Sequence, residues 1–311
     1  MSTPGMNIYV APLQGFTEAP FRHCHASVYG AADRYYTPFL RIEHGEPRHR
    51  DMRDVTSQLN DNHDVVPQII FRDIDEFDLL IGALKEAGCR RVDLNMGCPF
   101  PPQVNKGRGA GVLRNKALLE KVAERIDAER DMTFSAKMRP GISDYDEWRD
   151  IVDAINAMRL EHVTVHPRVA ALRYGGSVDM DAFAAMFSQL QHRVVYNGDI
   201  MSRDDAARIA DSFPGLDGIM IGRGVLARPS LIAEMREGRD WSSEERVDHL
   251  LQLHAGIFQH YSTTLCGDAQ VLSKIKPFWE YLEWEIGHKT AKMIKKATSI
   301  EKYEKAVASI G

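Results

Sequence analysis

Val65-Val66-Pro67-Gln68-Ile69-Ile70-Phe71 is apolar at nearly every position. A strand with one wet face alternates, whereas a run apolar on both faces suits a parallel strand covered by helices. The next segment, Phe77–Ala87, carries a helical stripe and stops at Gly88, a residue suited to the C′ position. Outward from there, short apolar runs recur about every 20 to 40 residues. They are Asn7–Ala11 and Arg34–Phe39 on one side, and Arg91–Asn95, Thr133–Met138, His162–His166, Arg193–Asn197 and Gly218–Ile221 on the other. Leu118–Ala128 and Trp148–Met158 read as amphipathic helices between them. Ser202 offers a cap, with Asp204 and Asp205 in the first turn, ahead of Ala206–Ala210. Eight β/α alternations fit a closed barrel or a doubly wound sheet. The first strand runs into Ala11-Pro12-Leu13-Gln14-Gly15 rather than a glycine-rich turn, so the expectation is an α/β fold of the (β/α)₈ TIM-barrel type.

The strand pattern ends near residue 222. From Trp241 the sequence reads as helices over Ser242–Tyr261, Val271–Glu285 and Lys289–Ser309, the first opened by the capping box Ser242-Ser243-Glu244-Glu245. The expected organisation is a barrel over 1–235 and a helical domain over 241–311, joined through Glu234–Asp240. The length of 311 residues suits a barrel of roughly 250 plus such an appendage.

Composition narrows the function classes. Hydrophobic residues at 44% and charged residues at 27% are ordinary for a globular protein, and no run is long enough to span a membrane. Met1-Ser2-Thr3-Pro4-Gly5 lacks the basic and apolar regions of a signal peptide. Cys24, Cys89, Cys98 and Cys266 form no CxxC pair, which argues against a zinc site or disulfide framework. A cytoplasmic monomer is expected, with no metal, no membrane and no protein partner implied. At a net charge of −5, nucleic acid would have to be bound through a local basic patch.

Barrel sites gather at the C-terminal ends of the strands. Gln68, Asn95, Lys137, Arg139, His166, Arg168, Asn197 and Asp199 stand at or near those ends. Asn197-Gly198-Asp199 after the seventh strand and Gly222-Arg223-Gly224 after the eighth suggest a phosphate site, since glycines let backbone N–H groups approach an anion; tight turns with a surface arginine are the plainer alternative. Lys137 suits either the stabilisation of a reduced flavin near N1 or a structural ion pair. His166 has no second ligand at metal spacing. Cys98 lies three residues past Asn95, between Gly97 and Pro99. The turn would present its thiol to the cavity, and a neutral thiol can serve as a general acid; a buried structural cysteine is the competing reading, and it fits Cys24 and Cys89.

Asn95-Met96-Gly97-Cys98-Pro99 resembles the corresponding motif of tRNA-dihydrouridine synthases, and the likeness runs through most of the chain. Ala11-Pro12-Leu13-Gln14-Gly15-Phe16-Thr17 resembles the family's first FMN loop, and Gln68 its third-strand position. Lys137-Met138-Arg139 resembles its Lys-x-Arg, and His166-Pro167-Arg168 its His-Gly-Arg. Tyr174 stands at the spacing of the uridine-pocket tyrosine, and Asn197–Asp199 and Gly222–Gly224 match the phosphate loops. Ile275-Lys276-Pro277-Phe278-Trp279-Glu280-Tyr281-Leu282 is similar to the helical domain of the bacterial C-type branch. The resemblance implies FMN reduced by NADPH (or NADH), then hydride transfer to C6 of a tRNA uridine and protonation of C5 by Cys98. Asn95, Arg168 and Tyr174 would bind the uracil. Pro12, Leu13, Gln68, Lys137, His166, Asn197, Gly198, Asp199, Gly222 and Arg223 would hold FMN.

The chain departs from the family at Phe100-Pro101-Pro102-Gln103, where Ser and often a nearby Lys are common. It departs again at Thr37-Pro38 in place of Thr-Glu, and at His166-Pro167-Arg168-Val169. These changes border the substrate side.

Candidate RNA contacts are Arg139, Lys274, Lys276, Lys292, Lys295 and Lys296. The last three share a helix face at i, i+3, i+4 spacing and could follow phosphates, although charge runs are usually just a solvated face. Arg48, Arg50 and Arg53 form a second, acid-diluted patch. The competing function is a flavin barrel that acts on a small pyrimidine-like molecule.

Overall fold

The computed structural model describes residues 6–310; Met1–Gly5 lies outside them. Eight staves form the barrel: β1 (Asn7–Val10), β2 (Arg34–Tyr36), β3, β4 (Arg91–Met96), β5 (Thr133–Met138), β6 (Leu160–Val165), β7 (Arg193–Asn197) and β8 (Gly218–Ile221). Where one strand is expected over Val65–Phe71, β3 is two pieces, Val65–Val66 and Gln68–Ile69. The first piece pairs with β2 and the second with β4, all in parallel, so the sheet closes on itself through β3. Pro67 is the physical reason for the break: it has no N–H to give to a ladder. Its carbonyl still accepts the Asp93 N–H at 2.9 Å.

Side chains alternate along each stave. Ile8 and Val10 join the large core under the helices, while Tyr9 joins Tyr36, Val66, Val195 and Met220 in a separate small cluster inside the barrel. Interior polar groups are paired across staves: Tyr36 Oη lies 3.0 Å from His162 Nε2, and Ser135 Oγ donates to Asp93 at 2.7 Å.

Helix starts follow the capping residues. Asp73 accepts the Glu76 N–H ahead of Ile74–Glu86, and Ser202 accepts the Asp205 N–H ahead of Arg203–Ser212. Trp148–Met158 is not one helix but a 3₁₀ turn, Glu147–Asp150, followed by Val152–Ala157. There Glu147 is committed to the preceding loop, where it accepts the N–H groups of Ile142, Ser143 and Asp144.

The capping box at Ser242 and Glu245 forms as expected and opens the helix Ser243–Thr264. That helix packs against Ala19–Tyr29, and one continuous core takes in Leu250, Leu253, Leu272 and Tyr303. The expected linker Glu234–Asp240 is half helix: Leu231–Glu237 ends at Gly238, which has φ 72°. Val271–Glu285 divides into Asp268–Ile275, Lys276–Trp279 and Glu283–Ile286, because Pro277 cannot continue a helix. Lys289–Ser309 divides into His288–Lys296 and Ile300–Val307, with Ser299 capping the second.

Candidate active site

Alternation puts the polar strand ends on one side. Leu94, Ala136 and Val165 belong to the outer core, so Asn95, Lys137 and His166 have the opposite parity and turn inward. With Asn197 they meet in a cavity of about 440 Å³ at the C-terminal mouth of the barrel, a size typical of small-molecule sites.

One wall is a buried hydrogen-bonded chain. Ser135 Oγ and Gln68 Nε2 both donate to the Asp93 carboxylate at 2.7 Å. Gln68 Oε1 accepts from Asn95 Nδ2 at 2.7 Å, and Asn95 Oδ1 accepts the N–H groups of Cys98 at 2.8 Å and Gly97 at 3.2 Å. The turn that carries Cys98 is therefore tied through Asn95 and Gln68 to a carboxylate inside the barrel. Burial raises the pKa of Asp93 even though both donors lower it. Gly109, at φ 59°, packs so closely that a Cβ would come 2.7 Å from that of Cys98. Burial also raises the Cys98 pKa, against a hydrogen bond from the Phe100 N–H and the charges of Arg139 and Lys137. Near neutral pH it is a thiol holding its proton.

The adjoining lining is cationic. Lys137 makes no hydrogen bond or ion pair among the described residues. Burial, and then Arg139, lower its pKa to about 7. His166 is held well below the usual histidine range by burial, then by the charges of Arg139, Lys137, Arg168 and Arg223. Its Nε2 accepts from Arg168 Nη1 at 3.1 Å, which leaves Nδ1 as the protonated nitrogen. Asp199, at φ 40°, bridges Arg168 Nη2 at 2.6 Å and Arg223 Nη2 at 2.7 Å. A Cβ on Gly198 would meet Val178 at 2.8 Å and the Tyr196 hydroxyl at 3.0 Å, so glycine lets this turn pack closely against those side chains.

Of the residues singled out in the sequence, the cavity brings together Pro12, Leu13, Asn95, Cys98, Lys137 and His166. Tyr174, Asn197, Gly198, Asp199, Gly222 and Arg223 complete it. Gln68 and Arg168 are fully buried and do not line it; each holds a residue that does. Arg139 lines the cavity from a buried position, far from an exposed RNA face: its guanidinium donates to the carbonyls of Gly97, Arg168 and Arg173. Lys274 pairs with Glu18 at 2.6 Å, and Lys276 donates to the carbonyls of Lys295 and Ala297 at the end of His288–Lys296. Lys292, Lys295 and Lys296 are exposed on that helix, with Ile294 buried beneath them.

Sequence reasoning did not single out Asp93 or the cavity-lining Arg41 and Arg173, and met Gln103 only within the departing segment Phe100–Gln103. Asp93 had a signal, since it sits two residues before Asn95 on the same face. The loop residues had none. Among the described residues no group of three or more His, Cys, Asp or Glu could hold a metal ion, and no helix is long and apolar enough to cross a membrane.

The dihydrouridine synthase (Dus) family model matches residues 9–307. Probable tRNA-dihydrouridine synthase 2 of Bacillus subtilis (strain 168) is 30% identical over 266 residues, spanning 81% of this chain and 78% of that protein. A probable tRNA-dihydrouridine synthase of Staphylococcus epidermidis is 30% identical over 264 residues, with the same coverage. Among solved structures, a GH18 chitinase from Pseudoalteromonas aurantia superposes with a TM-score of 0.51 at 10% identity, covering 75% of this chain and 99% of that one, a likeness of fold alone. A family match over almost the whole chain, on a barrel whose mouth carries Asn95 and Cys98, establishes that this protein belongs to the dihydrouridine synthase family.

Proposed function

We propose that this enzyme reduces uridine to 5,6-dihydrouridine in tRNA, in the cytoplasm, using FMN and NADPH, with Cys98 as the acid. The observation that carries the reading is the Cys98 thiol, its turn pinned through Asn95, in a cavity that cations and glycines also line. The relatives' names supply the tRNA substrate.

The residues suit FMN. Gly198 and the Gly222–Arg223 turn offer backbone N–H groups and a guanidinium to a phosphate. Pro12, Leu13 and Met220 give an apolar face to a ring. The unpaired Lys137 ammonium meets negative charge, and the neutral His166 offers a donor. FMN held by these residues and reduced by NADPH would supply hydride chemistry to C6 of the uracil.

The protein's own groups do the rest. A stacked uridine must be extruded to reach a recessed pocket. Asn95 holds the Cys98 turn and faces the ring. Cys98 gives its proton to C5 and is reprotonated from solvent; its raised pKa keeps that proton available. Gln68 and Arg168 act as positioning residues, the first through Asn95 and the second through Asp199 and His166.

Unmodified tRNA incubated with FMN-loaded enzyme and NADPH should gain dihydrouridine, read by nucleoside mass spectrometry. Turnover of free uridine or another small pyrimidine, with none on tRNA, would favour the small-molecule reading.

A further inference from the structure

We propose that Phe100 and Gln103 form a substrate-reading element: the Gln103 amide hydrogen-bonds the pyrimidine held in the cavity, and the Phe100 ring stacks on the RNA base beside it. The inference rests on the reading above and adds to it two residues from the segment where the sequence leaves its family.

Gln103 is 8% exposed and lines the cavity together with Cys98 and Asn95. Neither end of its amide has a hydrogen-bond partner among the described residues: Oε1 is shielded from water, and Nε2 is the end left accessible. The other buried amides around the cavity are engaged. Asn95 and Gln68 use both ends of their side chains, and Asn197 Nδ2 donates to the Met220 carbonyl at 2.7 Å. Buried polar groups in folded proteins are almost always paired, so an unpaired amide in a cavity wall marks the place of a ligand group. Uracil can serve the accessible Nε2, because its carbonyls accept hydrogen bonds.

The amide is presented from a fixed backbone. The Gln103 N–H donates to the Phe100 carbonyl at 2.8 Å, and the Gln103 carbonyl accepts from Lys106 and Arg108, both at 3.0 Å. Pro101 and Pro102 restrict φ immediately before it.

Phe100 lines the same cavity from the rim and is 57% exposed. A base outside the cavity presents a π-face to which an exposed aromatic ring can add, with no sequence preference. Phe100–Gln103 itself carries no charge; Lys137, Arg139 and Arg223, which also line the cavity, belong to other segments. This segment therefore reads rings by stacking and hydrogen bonding, not phosphates by charge, and its contribution should not depend on salt.

The test is steady-state kinetics of FMN-loaded full-length enzyme on one unmodified tRNA transcript, at several salt concentrations. Phe100→Ala and Gln103→Met should each raise KM about tenfold, with kcat and flavin absorbance close to wild type. Their salt slopes should equal the wild-type slope, and Phe100→Trp should restore KM. Phe100 is exposed, so its variants test the stacking half even if Gln103→Met folds poorly. Unchanged KM in Phe100→Ala, or a loss confined to kcat in Gln103→Met, overturns the assignment while the parent reading stands. A wild-type enzyme that makes no dihydrouridine on any tRNA overturns both.

Discussion

At the wall of the cavity, Asp93, Gln68, Asn95 and Cys98 belong to one buried hydrogen-bonded chain. On the helix His288–Lys296, Lys292, Lys295 and Lys296 stand in water, and none has an ion-pair partner among the described residues. In the first region every group is placed by its neighbour, so one deletion leaves another buried group unpaired. In the second the charges act independently and are screened by salt. The difference suits the two tasks proposed for them. Proton delivery needs a few coupled groups fixed in place, whereas holding a polyanion needs only a density of charge.

The largest effect should come from Cys98→Ala. Product formation should fall by about 10²- to 10⁴-fold with FMN still bound, as loss of a general acid implies. Flavin absorbance and product yield on one sample separate the two. Next is Asp93→Ala, which strands Gln68 Nε2 and Ser135 Oγ inside the barrel. A loss of roughly 2–4 kcal/mol in urea unfolding is expected. A near-neutral result there would break the comparison by showing that the chain is not cooperative.

Lys137 gives a smaller, pH-dependent effect. Its folded pKa of about 7 lies below its ordinary value of 10.5, so between those limits the unfolded chain binds the extra proton. Stability without ligand should therefore be present above that window and decline as pH falls through it. An anionic ligand beside Nζ should be bound more tightly at lower pH and take up a proton. Calorimetry of FMN binding in buffers of different ionisation enthalpy measures that uptake, and Lys137→Met should abolish it. Smallest per residue are Lys292→Glu, Lys295→Glu and Lys296→Glu. Each should weaken tRNA binding a few-fold at low salt and little at high salt; unchanged affinity in the triple variant would remove this face from the RNA path.

The two regions also differed in how far the sequence disclosed them. The inward facing of the strand-end residues followed from alternation: once Leu94 and Ala136 face the helices, Asn95 and Lys137 must face inward. The breaks came from local chemistry that periodicity does not register, such as Pro67 splitting β3, Pro277 stopping a helix, and Ser299 capping a new one. Long-range pairing was invisible. Nothing at Lys274 announces Glu18, which is 256 residues away, and nothing at Arg168 announces Asp199. Residues Phe100–Gln103 read only as a departure from the family, because no periodic pattern says which loop side chain turns inward.

The central claim is that Cys98 protonates a uridine reduced in this cavity. Single turnover of NADPH-reduced, FMN-loaded enzyme on unmodified tRNA, wild type against Cys98→Ala, followed by nucleoside mass spectrometry, tests it most directly. The account predicts rapid dihydrouridine formation by the wild type and almost none by a variant whose flavin is equally reduced; equal yields and rates from the two would contradict it.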